Sequence, residues 1–272
     1  MSAILDRIIE QTAEDLKKRK KKVTISDFTG FPLYEPNRKD FAEALRSHSV
    51  RIIAEIKKGS PSKGIIRESF NPVDIALRYE EAGASCISVL TDEPFFYGSL
   101  NYLAQVRESV QIPLLRKDFI IDPYQIAEAR AYGADAILLI AAVLSDDHMN
   151  ELLHASEEYG LHSLVECYDE EEVNRMNWHK VQLFGVNNRD LRTFKTDVHR
   201  GIELLQKSPE SVVRISESGL RSAKDLKLLY DSAIQAALIG ETFMREDDPG
   251  KALKQMLDQL HHYISIGASN DD

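Results

Sequence analysis

The chain has 272 residues, of which 43% are apolar, enough for one large globular domain or two small ones, with no sign of disorder. Its 34 Lys and Arg against 44 Asp and Glu give a net charge of −10, which argues against general affinity for nucleic acid or anionic membranes. No apolar run reaches the roughly 18 residues of a membrane span, and the N-terminus lacks a signal-peptide core. Two cysteines, Cys86 and Cys167, lie in apolar runs, as buried thiols do in a reducing compartment. We therefore expect a soluble, cytoplasmic protein.

Residues 1–48 are predicted to form a helical extension. Residues 2–22 have the apolar spacing of an amphipathic helix, and their basic end, Lys17 to Lys22, is interpreted as solvated charge rather than a nucleic-acid patch. A proline-containing loop leads to a second short helix, Asp40 to Ser47. We expect this extension to pack on the rest of the chain and cover one end of it, within a single domain of residues 1–272.

From Arg51 onward, short β-branched runs alternate with helix-patterned runs, which is the rhythm of a parallel sheet. Strands are predicted at 51–57, 85–90, 112–117, 135–140, 162–166, 181–187, 212–217 and 236–239. Helices are predicted at 72–82, 99–109, 123–132, 146–159, 170–176, 198–207, 223–230 and 249–264, followed by a frayed tail. An open doubly wound sheet would also fit, but eight strand–helix units without a second domain favour an α/β fold of the closed (β/α)8 type, a TIM barrel.

Polar side chains stand where nearly every predicted strand ends. Glu55 and Lys57 end the first strand two residues apart, so they project to one face; such a pair is also typical of a simple ion pair at a barrel rim. Later strands end in similar residues: Asp92, Lys117, Glu166, Asn187, Arg189, Glu217 and Ser218. The fourth strand is the exception, ending in the apolar run ILLIAAV. Because barrel enzymes form their active sites at the carboxyl ends of the strands, we predict one shared acid–base site there.

The loops after the last two strands suggest a phosphate site. SESGL at 216–220 and IGET at 239–242 each place a glycine just past a strand, where backbone amides can approach a ligand closely. Glycine there is also ordinary turn chemistry, but barrels commonly hold phosphate after strands seven and eight, so a phosphorylated substrate is favoured. The eight histidines show no converging metal-ligand spacing, and no dinucleotide fingerprint or P-loop is present. We therefore expect neither a metal site nor a dinucleotide or P-loop nucleotide site.

Eight stretches carry a family resemblance: IIAEIKKGSPSKG, SVLTDEPFFYGSL, IPLLRKDFIIDPYQI, GADAILLIAAVL, VEC, GVNNRDLRTF, SESGL and LIGETFMR. Together they resemble the indole-3-glycerol-phosphate synthase family, barrel enzymes of tryptophan biosynthesis, and the N-terminal extension is similar as well. The resemblance implies a carboxy-lyase that converts 1-(2-carboxyphenylamino)-1-deoxyribulose 5-phosphate into indole-3-glycerol phosphate. Carbon dioxide and water are lost, and no metal or organic cofactor takes part. Oligomeric state and docking onto other enzymes of the pathway stay open.

The resemblance also implies roles for single residues. Lys117 in LRKDF resembles the family's general acid, proposed to protonate the substrate ketone, and Glu166 resembles its partner in the later proton removal. Glu55 and Lys57 match a pair that either positions the substrate carboxylate or assists dehydration, and we assign neither role to one residue alone. Asn187 resembles the amide that orients the anthranilate part. The remaining matched positions are Arg189, Glu217 and Ser218 around the substrate, and Ser60, Gly219, Gly240 and Glu241 around the phosphate. Some family members have serine where this chain has Glu241, so only the backbone amide of Glu241 is expected to face the phosphate.

Three alternatives remain beside this interpretation. A phosphoribosylanthranilate isomerase would need a cysteine and an aspartate at strand ends, whereas the first strand ends in Glu55 and Lys57. A Schiff-base aldolase would use Lys117 as a nucleophile. A non-catalytic phospholigand-binding barrel should have lost at least one acid–base group, yet all five are present: Glu55, Lys57, Lys117, Glu166 and Glu217.

Overall fold

The structure, a computed structural model, describes residues 3–35, 37–190 and 195–268. At its centre eight parallel strands close into a barrel, each paired with the next along the chain and the last with the first. The strands are β1 Arg51–Ile56, β2 Cys86–Leu90, β3 Leu114–Lys117, β4 Ala136–Ile140, β5 His162–Cys167, β6 Leu183–Asn187, β7 Val213–Glu217 and β8 Ala236–Ile239. The predicted (β/α)8 barrel is therefore confirmed, and the open sheet is excluded.

Helices precede, separate and follow the strands. They are α1 Ala3–Lys22, α2 Phe41–Leu45, α3 Pro72–Glu81, α4 Glu93–Phe96, α5 Leu100–Ser109, α6 Pro123–Ala131, α7 Asp146–Glu158, α8 Glu170–Asn174, α9 Val198–Leu205, α10 Ala223–Asp231, α11 Glu241–Met244 and α12 Pro249–Ala268. The single-turn helices α4 and α11 were not predicted, because one turn is too short to show a periodicity. Helix α12 extends beyond the predicted end at Ile264, and the expected tail lies, from residue 269 on, outside the described residues.

Three further short elements were also missed. Ile25–Gly30 and Ala141–Val143 form 3-10 helices, and Gly59–Ser60 pairs with Gly64–Ile65 in a small antiparallel hairpin directly after β1. The hairpin lies in the loop that the sequence marked only as rich in Gly, Ser, Pro and Lys. It places Ser60 above the carboxyl end of the barrel, beside the cavity described below.

Side-chain caps set where the helices begin. Asn71 accepts hydrogen bonds from the backbone amides of the first turn of α3, and Asp122 does the same for α6. A proline follows each cap, where its missing N–H costs no helical hydrogen bond. Ser145 caps α7 in the same way. These local signals explain why the predicted helix starts agree with the structure.

The N-terminal extension packs across one end of the barrel and also reaches the other end. Phe41 and Leu45 of α2 are fully buried against the inward-facing side chains where the strands begin. Helix α1 runs along the side of the barrel, where Leu16 packs with Tyr124 and other residues of α6. The first residues of α1 border the opposite end, where the strands finish.

Across the described residues, every helix is too short or too polar to cross a membrane.

Candidate active site

A cavity of about 630 Å³ opens at the carboxyl ends of the strands. All but one of the residues that the sequence analysis assigned to the site border it: Glu55, Lys57, Ser60, Lys117, Glu166, Asn187, Arg189, Glu217, Ser218, Gly219, Gly240 and Glu241. They come from β1, β3, β5, β6, β7 and β8 or from the loops that follow these strands. The parallel barrel thus gathers side chains that are as much as 186 residues apart, from Glu55 to Glu241.

Asp92 is the exception among the polar residues at strand ends. Its carboxylate accepts the backbone N–H groups of Phe95 and Phe96 and so caps α4. Burial and the neighbouring Asp118 raise the pKa of Asp92 to about 6. Asp92 does not border the cavity, so the expectation that it joins the shared site was wrong. Its role is to begin a helix that the sequence analysis had not identified.

Lys117 lies between two carboxylates inside the barrel mouth. Its Nζ is 2.5 Å from Oε2 of Glu217 and 3.1 Å from Oε2 of Glu166. The side-chain amide of Asn187 donates to the other oxygen of Glu166 at 3.3 Å. We call Lys117, Glu166, Asn187 and Glu217 the Lys117 cluster. Four different strands, β3, β5, β6 and β7, supply one member each.

Burial and charge set the protonation states of this cluster. Burial alone would lower the pKa of Lys117, but Glu217 and Glu166 outweigh it and hold the pKa well above its usual value. Burial and the adjacent Glu166 raise the pKa of Glu217 to about 8, although Lys117 opposes the shift. Burial opposes ionisation of Glu166 too, yet Lys117 keeps the pKa of Glu166 below its usual value. Near neutral pH the cluster therefore offers two proton donors, Lys117 and Glu217, and one ionised base.

A glycine inside β6 makes room for Glu217. A Cβ at Gly185 would lie 2.2 Å from Oε1 of Glu217, so no other residue fits at this position without moving the carboxylate. That same oxygen is buried and accepts no hydrogen bond from any residue the structure describes. Gly185 was not singled out from the sequence, although a glycine in a strand interior often marks such a close approach.

Glu55 and Lys57 form a second pair at the same mouth. Nζ of Lys57 lies 2.5 Å from Oε1 of Glu55, which confirms that the two side chains project to one face. Glu55 is buried, and a Cβ on Gly240 would fall 2.3 Å from its Oε1. Gly240 is therefore constrained by the Glu55 carboxylate, in addition to any ligand that approaches its backbone.

The loops after β7 and β8 form a cationic end of the cavity. Ser218 and Gly219 both have positive φ, 68° and 77°, and the Asn188 side chain holds this turn by donating to the Ser218 carbonyl at 2.8 Å. Gly219 tolerates that conformation, whereas Ser218 is strained in it. Basic residues surround this end: Lys63, Arg189, Arg221 and Arg245.

Glu241 is held by two of these cations. Its carboxylate lies 3.3 Å from Arg189 and 2.9 Å from Arg245. Burial would raise its pKa, but the hydrogen bond from Arg245 and the charge of Arg189 keep the pKa of Glu241 below its usual range. Each carboxylate oxygen of Glu241 thus already pairs with an arginine. Only its backbone amide is expected to face a phosphate.

The opposite side of the cavity is apolar, and the sequence indicated it only through the run at the end of β4. Leu138 and Ile140 of β4 border it, with Phe96 of α4 and Phe119 from the loop after β3. Helix α1 completes this side with Ile4, Leu5 and Ile8. No sequence signal could have assigned these α1 residues to the site, because they look like one face of an ordinary amphipathic helix.

This geometry defines a class: a (β/α)8-barrel enzyme with a buried lysine–carboxylate acid–base site, one apolar side and one cationic end. A sequence profile of the indole-3-glycerol phosphate synthase family matches residues 5–256. The indole-3-glycerol phosphate synthase of Campylobacter jejuni subsp. doylei is 48% identical over 260 residues, 93% of this chain and 100% of that one. The enzyme of Salinibacter ruber is 45% identical over 256 residues, 93% of this chain and 95% of that one. The chain belongs to the indole-3-glycerol phosphate synthase family.

Solved structures of other barrels share the fold. The 3-hexulose-6-phosphate synthase of Salmonella typhimurium superposes with a TM-score of 0.61 at 15% identity, over 78% of this chain and 100% of that one. A mutant tryptophan synthase α-subunit from Pyrococcus furiosus gives 0.58 at 13% identity, over 80% and 99%. At such low identity these similarities establish the architecture alone.

Proposed function

We propose that the chain converts 1-(2-carboxyphenylamino)-1-deoxyribulose 5-phosphate into indole-3-glycerol phosphate, as a carboxy-lyase of tryptophan biosynthesis. The observation that carries the proposal is the placement of Lys117 between Glu166 and Glu217, in a cavity with an apolar side and a cationic end. Such a cavity suits a substrate that has an aromatic ring at one end and a phosphate at the other.

The order of strands in the barrel supports one orientation of the substrate. The apolar side is built by β2, β3 and β4 with α1, while the basic residues of the cationic end come from the loops after β6, β7, β8 and β1. Strands β6, β7 and β8 lie across the barrel from β2, β3 and β4, and β1 stands between the two groups. The anthranilate ring therefore packs near Phe96 and Phe119, and the phosphate lies by Gly219 and Gly240, with Ser60 of the hairpin above it.

The chemistry then needs a proton donor at the ketone. The ring carbon that bears the carboxylate attacks the ketone carbon, and Lys117 protonates the oxygen as negative charge develops on it. Carbon dioxide leaves, and the electron pair of the broken carbon–carbon bond restores the aromatic ring. The new hydroxyl departs with a proton as water, while Glu166 removes the proton from the carbon attached to nitrogen, which completes the pyrrole double bond.

The other predicted residues bind or assist. Asn187 holds Glu166 and the anthranilate part, Arg189 and Ser218 contact the substrate, and Glu217 holds Lys117 through the hydrogen bond that it accepts from Nζ. Glu55 and Lys57 remain candidates for positioning the substrate carboxylate or for assisting dehydration. Binding of the phosphate at the cationic end of the cavity supplies energy that positions the reacting carbons.

The main alternative is a Schiff-base aldolase with Lys117 as the nucleophile. That chemistry needs a neutral amine, and the two carboxylates beside Lys117 keep the pKa of the amine well above its usual value. Borohydride trapping with substrate would label Lys117 only if the aldolase assignment were right. A non-catalytic phospholigand-binding barrel is the second alternative, and turnover would eliminate it.

The direct test is the appearance of indole fluorescence when the purified chain meets the carboxyphenylamino substrate. Lys117→Met serves as the matched control, because it keeps the apolar stem and removes the proton. Product formation by the unmodified chain alone supports the proposal, and its absence contradicts it.

We further propose that the chain acts in the cytoplasm on a small-molecule substrate, as a single domain and without nucleic acid or membrane. Other tryptophan-pathway enzymes are candidate partners.

A further inference from the structure

Arg116 precedes Lys117 on β3 and points the other way, into the layer between the barrel and α6. Its side chain is 0% exposed. Its guanidinium contacts Glu128 at 2.9 Å and Asp118 at 3.0 Å, and it also donates to Thr91 Oγ1 at 3.2 Å and to a backbone carbonyl of α6 at 2.8 Å. A core position between strand and helix normally holds an apolar residue, so an arginine with this many partners needs an explanation.

Glu128 connects this arginine to the N-terminal extension. Arg19 of α1 donates to the Glu128 oxygen that Arg116 also contacts, at 2.8 Å. The two guanidinium groups and the carboxylates of Asp118 and Glu128 balance in charge. We call Arg19, Thr91, Arg116, Asp118 and Glu128 the Arg116 network. It lies on the outer face of the barrel wall, opposite the Lys117 cluster.

Each end of the network leads to the apolar side of the cavity. Asp118 borders the cavity and is followed by Phe119, whose ring centroid lies 6.1 Å from that of Phe96. Phe96 ends α4, in the segment that begins at Thr91. Arg19 belongs to the helix that contributes three apolar residues to the same side: Ile4, Leu5 and Ile8. Three segments of this side are therefore linked to the Arg116 guanidinium: those that begin at Thr91 and Asp118 directly, and α1 through Glu128. Among the described residues, the cationic end of the cavity has no contact with the network.

We propose that Arg116 is a positioning residue for the aromatic end of the substrate, acting through Asp118, Thr91, Glu128 and Arg19 on the apolar side of the cavity. The proposal rests on the proposed function, because that function places the aromatic ring there. A buried ion network is satisfied in only one geometry, so it holds the two loops and α1 in register. Loss of one ion pair of the network allows a segment of the apolar side to move, which weakens its contacts with the aromatic ring of the substrate. Phosphate binding at the cationic end does not change.

The experiment compares two neighbouring residues of α1. Arg19→Met cuts the link between α1 and Glu128 and leaves Glu128 paired with Arg116. Lys20→Met is the matched control, because it removes the parallel ion pair to Asp122, 2.6 Å long, which is separate from the network. We expect Arg19→Met to raise KM for the substrate at least about threefold with kcat changed less than about twofold, and Lys20→Met to leave both unchanged.

A second readout separates positioning from general loosening. The inhibition constant of inorganic phosphate, which reports only the cationic end, should be the same in Arg19→Met and in the unmodified chain. Arg116→Lys, which keeps the charge but has too few donors for all four partners, should raise KM in the same way if it folds; if it does not, Arg19→Met alone decides. An unchanged KM in Arg19→Met, an equal rise in Lys20→Met, or a parallel loss of phosphate affinity would overturn the proposal.

Binding without turnover keeps this proposal separable from the proposed function. Calorimetry with an analogue whose ketone is reduced to an alcohol, and which therefore cannot cyclise, should show the same loss of affinity in Arg19→Met and none in Lys20→Met. An unmodified chain that binds this analogue but does not turn over the substrate would contradict the proposed function alone, and the analogue would still decide the network. A chain that neither binds the analogue nor turns over the substrate would overturn both.

Discussion

Arg116 and Lys117 are consecutive residues of β3, and each is a buried cation between two carboxylates on its own face of the barrel wall. On the outer face, Arg116 uses its donors on Thr91, Asp118, Glu128 and a helix carbonyl, and the charge of Arg19 completes the balance. The carboxylate of Asp118 keeps a pKa below its usual value because Arg116 outweighs the effect of burial. All three nitrogens of Arg116 thus donate hydrogen bonds, whereas Nε of Arg19 is buried without a hydrogen-bond partner among the described residues.

On the inner face the balance is incomplete. Lys117 is the one cation of its cluster against Glu166 and Glu217, and Oε1 of Glu217 accepts no hydrogen bond from the described residues. The unmatched negative charge appears as the raised pKa of Glu217, about 8. The comparison teaches that a buried ion pair is structural when its cation and carboxylates are fully paired, and chemically competent when a carboxylate oxygen beside a cavity has no hydrogen bond.

The largest expected effect is on the inner face. Lys117→Met removes the proton donor aimed at the ketone, and general acid catalysis is typically worth about 10² to 10⁴ in rate, so kcat should fall by that order. KM should change much less, because the phosphate contacts remain. Steady-state kinetics on the folded variant measures both. A near-normal kcat with a greatly raised KM would make Lys117 a substrate anchor and pass the acid role to Lys57.

On the outer face the corresponding change should affect stability first. Arg116→Met leaves two buried carboxylates partly unpaired, and removing one partner of a buried ion pair costs about 3–5 kcal/mol. Urea unfolding followed by circular dichroism gives the change in the free energy of unfolding. Lys117→Met is the comparison variant, since it borders open cavity and should cost less. If the two variants lost equal stability, the contrast between the two faces would fail.

The pKa of Glu217 makes a prediction about pH. Because this pKa is raised, the folded chain keeps a proton that the unfolded chain releases, so stability should fall as the pH rises from the usual glutamate value towards about 8. The slope from this one group is at most about 1.4 kcal/mol per pH unit. Glu217→Gln cannot titrate and should lose that slope, which unfolding titrations at several pH values would show. Parallel curves for the two proteins would contradict the assignment.

Gly240 tests the second inner pair. Gly240→Val should raise KM about tenfold or more if its backbone faces the phosphate, and the fold should survive at this barrel mouth. Since a side chain at this position meets Glu55, we expect kcat to fall as well. Gly30→Val is a suitable control, because a Cβ there would meet no atom within 4 Å. An unchanged KM in folded Gly240→Val would remove the proposed phosphate site.

The smallest expected effect is that of chelation. We predict that exhaustive treatment with EDTA leaves kcat and KM unchanged, because Lys117 and the carboxylates are proposed to move protons without a metal. The described residues contain no group of three potential ligands arranged around an ion. Activity that is lost on chelation and restored by a divalent ion would mean that the carboxylates of the inner face have been misassigned.

Much of the barrel was predictable because its signals are local. β-branched runs, proline after a capping residue and the spacing of apolar positions depend on neighbours in the chain, so strands and longer helices were placed within a few residues. The polar strand ends were also predictable, because a parallel barrel brings every carboxyl end to one rim. Asp92 is an exception to this rule, because its carboxylate caps α4 instead of joining the site. The cap was not predicted, because a single-turn helix shows no periodicity in the sequence.

The sequence by itself determined that this chain forms an eight-stranded barrel with acid–base groups at one end, because strand alternation and chain order dictate which side chains meet there. It singled out Lys117 at a strand end but could not assign partners to either Lys117 or Arg116, since the carboxylates that each cation meets belong to segments far away in the chain. The contact of Arg116 with α1, made through Glu128, exists only after the extension has packed along the barrel. The tertiary structure therefore decided which cation is satisfied and which is left for chemistry, because charge balance in a buried site is the sum over all the segments that surround it.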